Sequence, residues 1–316
     1  MKALVQRGYG GVGNLGIEKI APRDLKAGEV AVRVEACGAN ASDWEFTTGK
    51  PAYARVAGMF RPQPRVLGSD VVGIVEAVGE GAGLEIGQRV LADTFGSFGG
   101  FAEVCIAKAD RFVPVPAGLE PERVACLPQS GAIVLDFFDG RLREGARVLV
   151  NGGGGGCGPM AIQYAAAMGA DVTGIDNAVK QDVMRQAGAA AVYDYKLVDF
   201  AKLGQDWDLI LDLYGTRPAR MLYPCLATGG QYRMVGGPVP TLLNTVLASA
   251  RKRRDGKHVG VLSVNQGPMH LPKLLELLKN GTITPIIGEI APLDEAPQAL
   301  ARMGAGQIAG KLVIRP

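Results

Sequence analysis

Residues 146–176, ARVLVNGGGGGCGPMAIQYAAAMGADVTGID, constrain this chain more than any other stretch. They read as strand, glycine-rich turn, helix and second strand, with an acid closing the unit. Arg147 to Asn151 is a short apolar run suited to a buried parallel strand. Five consecutive glycines follow, and Gly153-x-Gly155-x-x-Gly158 fits the dinucleotide fingerprint. Gly153 is expected to permit the tight turn, Gly155 to let backbone approach a pyrophosphate, and Gly158 to allow close helix–strand packing. Pro159 suits a first helical position, where the missing N–H costs nothing. Gly154, Gly156 and Cys157 complete a turn whose free amides, with the helix dipole, would face phosphates. Asp176 lies about twenty residues on, where an acid meets a ribose hydroxyl. A bare glycine run is as often a flexible loop; the strand before it and the helix after it select the nucleotide reading.

At 316 residues the chain exceeds a usual single domain, so two are expected. Its 47% apolar and 21% charged residues describe a soluble globular protein with ample core. A net charge of only +3 argues against a dedicated nucleic-acid binder. The densest basic cluster, Arg251, Lys252, Arg253, Arg254 and Lys257, reads as a solvated helix end rather than a phosphate patch. MKALVQRGYG looks like a first strand without an apolar signal core, and no apolar run approaches the eighteen or so residues of a membrane span. The cysteines Cys37, Cys105, Cys126, Cys157 and Cys225 are scattered and never form CxxC, which places the protein in a reducing cytoplasm.

Residues 1–115 are punctuated by Gly and Pro and carry short Val-containing runs: Lys2–Gln6, Val30–Ala36, Val71–Val78, Gln88–Ala92 and Phe101–Ala107. That spacing predicts an all-β, barrel-like unit. From about Pro121 strands alternate with helices. Strands are expected at Asp171–Asp176, Ala191–Tyr195, Asp208–Leu213, Gln231–Val235 and, at the sheet edge, Val259–Val264. Helices are expected at Val179–Ala187 and Arg217–Leu226. The alternation implies a parallel sheet with helices on both faces. An amphipathic helix, Leu271–Leu278, and a last strand, Lys311–Ile314, follow.

This order resembles the medium-chain dehydrogenase/reductase superfamily over essentially the entire chain. Gly68-Ser69-Asp70 with Val71–Gly79 is similar to its GxDxxGxVxxVG segment, and Gly99–Glu103 to its GxFAEY strand. NGGGGGCG at Asn151–Gly158 resembles the NGASGGVG turn of the zinc-free quinone oxidoreductase branch, and Gly310–Val313 the GKxV close. The resemblance implies an α/β protein: a GroES-like β-barrel catalytic domain over residues 1–120 and 268–316, and a doubly wound Rossmann domain over 121–267. It also implies an active site in the cleft between them, as physics favours.

Relatives with a catalytic zinc need Cys, His or carboxylate donors converging tetrahedrally. Here the ligand cysteine's place in Cys37–Asp43 is held by Asn40, with Cys37 three residues early and read as a half-buried strand thiol. The Gly-His-Glu triplet has become Gly68-Ser69-Asp70. Ser130 stands near the remaining ligand position, Cys126 is out of register, and His258 and His270 fall far away in sequence. The four-cysteine structural lobe is absent as well. No metal is expected to bind. Without a Lewis acid, reducing an unactivated ketone loses several kcal/mol of oxyanion stabilisation. Conjugate reduction of an enone, or reduction of a quinone, spreads the charge so that amides and hydroxyls suffice.

Asn40 is the first catalytic candidate, because its amide both donates and accepts; a plain turn residue is the alternative. Tyr53 and Trp44 are candidates for the wall of a planar substrate pocket, or ordinary core. Asp43 reads as structural, binding nearby backbone amides. Tyr214 and Gly215 after one strand, and Val235, Gly236 and Gly237 after the next, are placed at the nicotinamide end of the cofactor, together with Ser130. Where the family has AGLTA, Ser130–Val134 puts Ile133 in place of the threonine and removes one cofactor contact. No residue stands out as proton donor, which leaves that role to water.

The form of the cofactor turns on Asp176, Asn177 and Lys180. A 2′-phosphate about 4 Å from the Asp176 carboxylate costs roughly 4 kcal/mol at an effective dielectric near 20. Lys180 reads as an exposed helix-start lysine rather than one folded back over the acid, so NADH is favoured over NADPH, with both kept. The expected function is zinc-independent NAD(P)H-dependent hydride transfer to quinones or α,β-unsaturated carbonyls. A non-catalytic dinucleotide-binding protein, like the ζ-crystallin relatives, and a disfavoured alcohol dehydrogenase are the alternatives. An unpaired edge strand at Val259–Val264 predicts a homodimer through the sheet edge.

Overall fold

The computed structural model describes residues 1–316 apart from Ala57, Gln205 and residues 251–254. The chain separates into two compact units. The first comprises Met1–Ala132, Gln266–Gly281 and Ile287–Pro316; the second comprises Ile133–Asn265 and Thr282–Ile286. The division falls inside helix Pro128–Phe138, beyond the expected boundary at residue 120, so Ser130 belongs to the first unit.

The first unit is built on a seven-stranded sheet. Its order is Ile287–Pro292, Lys311–Arg315, Glu29–Ala39, Asp70–Val78, Arg89–Asp93 and Phe112–Pro114, with Val104–Lys108 also paired to Glu29–Ala39. All these pairings are antiparallel except that of the two C-terminal strands. A short hairpin, Lys2–Gln6 with Leu15–Lys19, bridges to Ala102 and Val66. Strand Glu29–Ala39 alternates in burial through Val34, as one covered face dictates, and is then buried continuously from Cys37. There it pairs with Asp70–Val78 on one side and the C-terminal strand on the other. Cys37 is therefore fully buried rather than half-buried, and burial pushes its thiol pKa well up. Trp44 is partly buried and packs against the hydrophobic core. A Cβ at Gly304 would collide with its indole, so helix Ala296–Gly304 can approach only because it ends in glycine.

The second unit holds six parallel strands in the order Ala191–Asp194, Asp171–Asp176, Arg147–Asn151, Trp207–Asp212, Leu226–Met234 and His258–Val261. Numbered along the chain this is 3-2-1-4-5-6, the doubly wound order with its switch point beside the glycine turn. The elements next to the turn form where the sequence places them. The expected helix Arg217–Leu226 is shorter: helix Ala219–Leu222 starts after Pro218, tightens into a 3-10 turn at Tyr223–Cys225 containing Pro224, and gives way to strand at Leu226. Two prolines in ten residues cannot sustain one continuous helix. Of the basic cluster, Arg251, Lys252, Arg253 and Arg254 lie outside the described residues; Lys257 Nζ sits 5.1 Å from the centre of the Tyr223 ring.

Candidate functional site

The glycine turn follows strand Arg147–Asn151 directly. Gly152 takes the left-handed backbone, φ 85°, so the sharp reversal lies one residue before Gly153, where the sequence reading put it. The amides of Gly152 and Gly153 both donate to the Ile175 carbonyl, at 2.8 and 2.9 Å, which ties the turn to the neighbouring strand. Helix Gly158–Ala167 begins at the third fingerprint glycine, where a Cβ would strike the backbone of Gly152 and Gly153. At Gly155 a Cβ would meet nothing closer than 3.6 Å, so this side of the turn is open to a ligand. These features fit a pyrophosphate cradle.

Asp176 ends its strand buried, with Oδ2 accepting from the Gly154 amide at 3.0 Å and Oδ1 from the Asn177 amide at 2.8 Å. Lys180 is the main departure from the sequence reading. It is not exposed but only 7% accessible, with Nζ 3.6 Å from Asp176 Oδ1. The 3-10 turn Ala178–Lys180 swings it back over the acid, and its stem lies against Gly154, where any side chain would collide with the Lys180 Cβ. The carboxylate is thus neutralised by its own (i, i+4) partner.

At the carboxyl ends of the next two strands, the Gly215 amide donates to the Gly236 carbonyl at 2.9 Å. Gly237 passes so close to Gly215 that a Cβ would strike its carbonyl. Tyr214, Gly215, Val235, Gly236 and Gly237 therefore lie together, as expected, with Tyr214 exposed. Beneath them Asp212, fully buried, accepts from Asn151 Nδ2 at 2.7 Å and the Tyr232 hydroxyl at 2.8 Å.

The first unit contains a separate buried polar cluster around Asn40. Asn40 ends strand Glu29–Ala39 and caps helix Ala41–Thr48. Asp43 accepts from the amides of Asn40 at 2.8 Å and Gly68 at 3.0 Å, the structural role expected of it. Burial raises its pKa to about 7 against the pull of those two hydrogen bonds. The centre of the cluster is a residue the sequence reading did not select. Lys311, 1% exposed, donates from Nζ to Asn40 Oδ1 at 2.6 Å and Ser130 Oγ at 3.1 Å, and lies 3.4 Å from Asp70 Oδ2. Burial raises Asp70 to about 6, while the Lys311 charge, the Asn40 amide and the Gln129 amide act to lower it. Gln129 donates through Nε2 to Ser69 Oγ at 2.7 Å. Asn40 Nδ2 is buried and makes no well-formed hydrogen bond.

Ser130 thus joins Asn40 in the first unit's cluster. Tyr53 stands on the short turn Ala52–Arg55, 38% exposed, and its hydroxyl donates to Glu45 Oε1 at 3.0 Å. The signal that could have found Lys311 is its place in the strand KLVIR, whose first four residues are buried. A lysine inside such a run demands partners.

A parallel sheet with its glycine turn in one unit, and a β-rich unit completed by the C-terminal strand, define a two-unit dehydrogenase-type protein. Residues 26–117 match the family model for the alcohol dehydrogenase GroES-like domain, and residues 187–314 that for zinc-binding dehydrogenase. The chain belongs to the medium-chain dehydrogenase/reductase superfamily, in its quinone oxidoreductase-like branch. It is 28% identical to a chloroplast envelope quinone oxidoreductase homolog of Arabidopsis thaliana, over 100% of this chain and 98% of that one. It is 27% identical to a trans-enoyl reductase of Aspergillus terreus, over 96% and 92% respectively. A quinone oxidoreductase of Coxiella burnetii superposes with a TM-score of 0.88 at 23% identity, covering 100% of this chain and 99% of that one.

The zinc in one family name prompts a test of the donors. The resemblance sets Asn40, Ser69 and Asp70 at the ligand places and Ser130 near the last of them; an ammonium bonds to Asn40 and Ser130 and pairs with Asp70. Among the described residues no group of three or more His, Cys, Asp or Glu could hold a metal ion. The side chains do not fit zinc. Among the described residues no helix is long and apolar enough to cross a membrane.

Proposed function

We propose that the protein is an NAD(P)H-dependent oxidoreductase that reduces quinones or α,β-unsaturated carbonyl compounds without a metal. The observation that carries this reading is the cluster in which a lysine ammonium is bound by Asn40 and Ser130 and paired with Asp70. The nature of the related proteins, quinone oxidoreductases and a trans-enoyl reductase, supports it. When bound, the reduced nicotinamide supplies the hydride. The glycine turn holds phosphate through backbone amides, and the loops at Tyr214–Gly215 and Val235–Gly237 border the nicotinamide end. Asn40 offers an N–H to the substrate oxygen on which charge develops, which suffices where conjugation spreads that charge. The proton that completes the reduced product comes from water.

Because Lys180 neutralises Asp176, the repulsion of a 2′-phosphate is largely offset, and the proposal takes NADPH as well as NADH. The exposed residues Leu243, Val246 and Leu247 on helix Val239–Ser249, next to edge strand His258–Val261, support a homodimer through that edge. Five free thiols support a reducing compartment.

The test is to assay purified, chelator-treated protein with each nicotinamide against a panel of quinones and enones. Turnover that survives chelation is the expected result. Cofactor binding without turnover of any acceptor refutes the enzymatic reading and leaves the binding-protein alternative. Activity that returns only with added zinc refutes metal independence.

A further inference from the structure

The family name implies a metal that these side chains do not fit, and the disagreement has a specific form. By the resemblance, Asn40, Ser69 and Asp70 stand at the places from which relatives would ligate zinc and Ser130 near the last, and three of those four converge on one lysine. An ammonium has three donors and no acceptor. It can face only the oxygen of the Asn40 amide, at 2.6 Å, and so fixes which way that amide lies. The N–H₂ end must then point away from the cation. That end faces Asp70, whose pKa it helps to lower, and Nδ2 makes no well-formed hydrogen bond although Asn40 is only 8% exposed. An amide nitrogen has two N–H donors, and a buried donor left poorly matched costs roughly 1–3 kcal/mol, a cost that persists where a ligand removes it.

We infer that Lys311 is the positioning residue of this site: its ammonium sits where relatives would hold a metal and locks the Asn40 amide by its oxygen, which leaves one N–H of Nδ2 as the donor to the substrate oxygen. Asp70 balances the charge, since a lone buried ammonium would be strongly disfavoured. Ser130 takes another of the lysine's donors. The cation thus acts through the amide, and Asn40 alone touches substrate. The inference rests on the proposed reductase activity for its kinetic readout, but not for its structural one.

The test uses the full chain and two substitutions. In Lys311→Met combined with Asp70→Asn, the charge pair is removed as a unit, and below about pH 7, where Asp43 is protonated, no buried charge is stranded. Asn40 loses its anchor. The variant is expected to fold and bind either nicotinamide within about threefold of the parent, while kcat falls about 10²–10³-fold, as for loss of one oxyanion donor. The side-chain amide resonance of Asn40, followed by ¹H–¹⁵N NMR, is expected to shift, with backbone resonances outside the cluster unmoved. In Asn40→Asp the carboxylate still accepts from Lys311, so the packing is kept, but no N–H remains. The same loss of kcat is expected with nicotinamide affinity unchanged.

A folded double variant with kcat within about threefold of the parent, or an active Asn40→Asp protein, overturns the inference. If the double variant does not fold, Asn40→Asp decides the donor role. If the parent protein turns over no acceptor, the proposed function fails, and the amide resonance alone decides: an unshifted Asn40 signal in the double variant overturns the lock, and a shifted one supports it.

Discussion

Replacing Asp43 by Asn is expected to cost more stability in mild acid than at alkaline pH, the reverse of the usual result for a buried, hydrogen-bonded carboxylate. The reason is that burial raises Asp43 from 3.8 to about 7, more than the amides of Asn40 and Gly68 lower it. Between those two values the folded protein binds a proton that the unfolded chain has released. Stability contributed at this site is therefore fully present below the unfolded value and is lost as pH rises through about 7. At pH 5 the native acid is protonated, whereas at pH 8 it is a buried anion. The two pH units between 5 and 7, at about 1.4 kcal/mol each, make the wild-type advantage about 2–3 kcal/mol larger at pH 5 than at pH 8. Asn does not titrate, and Asp70, which drifts in the same direction, is common to both proteins and largely cancels. Urea denaturation of both proteins at pH 5 and pH 8, compared as a double difference, measures this directly. A penalty equal at the two pH values within about 0.5 kcal/mol, or larger at pH 8, would falsify the argument that desolvation dominates at Asp43.

Gly158→Ala places a Cβ against the backbone of Gly152 and Gly153, which cannot yield as a side chain would. It should cost about 1–3 kcal/mol and abolish nicotinamide binding, read by calorimetry and fluorescence titration. Lys180→Met leaves Asp176 without its neutralising partner, so NADPH should bind about 10–100-fold more weakly while NADH changes little. Equal losses for both cofactors would show that Lys180 serves the turn rather than the ribose end. For the proposed dimer, Leu243→Glu combined with Leu247→Glu should give a monomer by sedimentation at micromolar concentration where the parent sediments as a dimer. A monomeric parent would remove that proposal.

What the sequence revealed divides along the range of the interactions involved. Strands Arg147–Asn151 and Asp171–Asp176 were legible to the residue, because the glycine turn between them is a local device with a fixed spacing. The structural role of Asp43 was legible because its amide partner Asn40 is only three residues away, but the helix Ala41–Thr48 that starts between them reads as a loop in the sequence. Lys180 was misjudged because a lysine four residues past an acid is normally solvated. Only the bare backbone of Gly154, 26 residues upstream, gives its stem a surface to lie on. Lys311 was passed over altogether. Its partners Asn40, Asp70 and Ser130 lie 271, 241 and 181 residues away in sequence, and no periodicity or spacing connects positions that far apart.

The pairing of Lys311–Arg315 with Cys37–Ala39 also bears on how the protein is made. On the ribosome the β-rich half emerges first, yet its sheet cannot be completed until the closing strand, whose Leu312 pairs with Ala39, clears the exit tunnel about 270 residues later. The parallel half, contiguous but for residues 282–286, has almost everything it needs well before then. Vectorial synthesis therefore favours the nucleotide-turn half maturing first. The nascent β half then waits with an open seam at Cys37–Ala39, where a chaperone or an early stall would have its greatest effect.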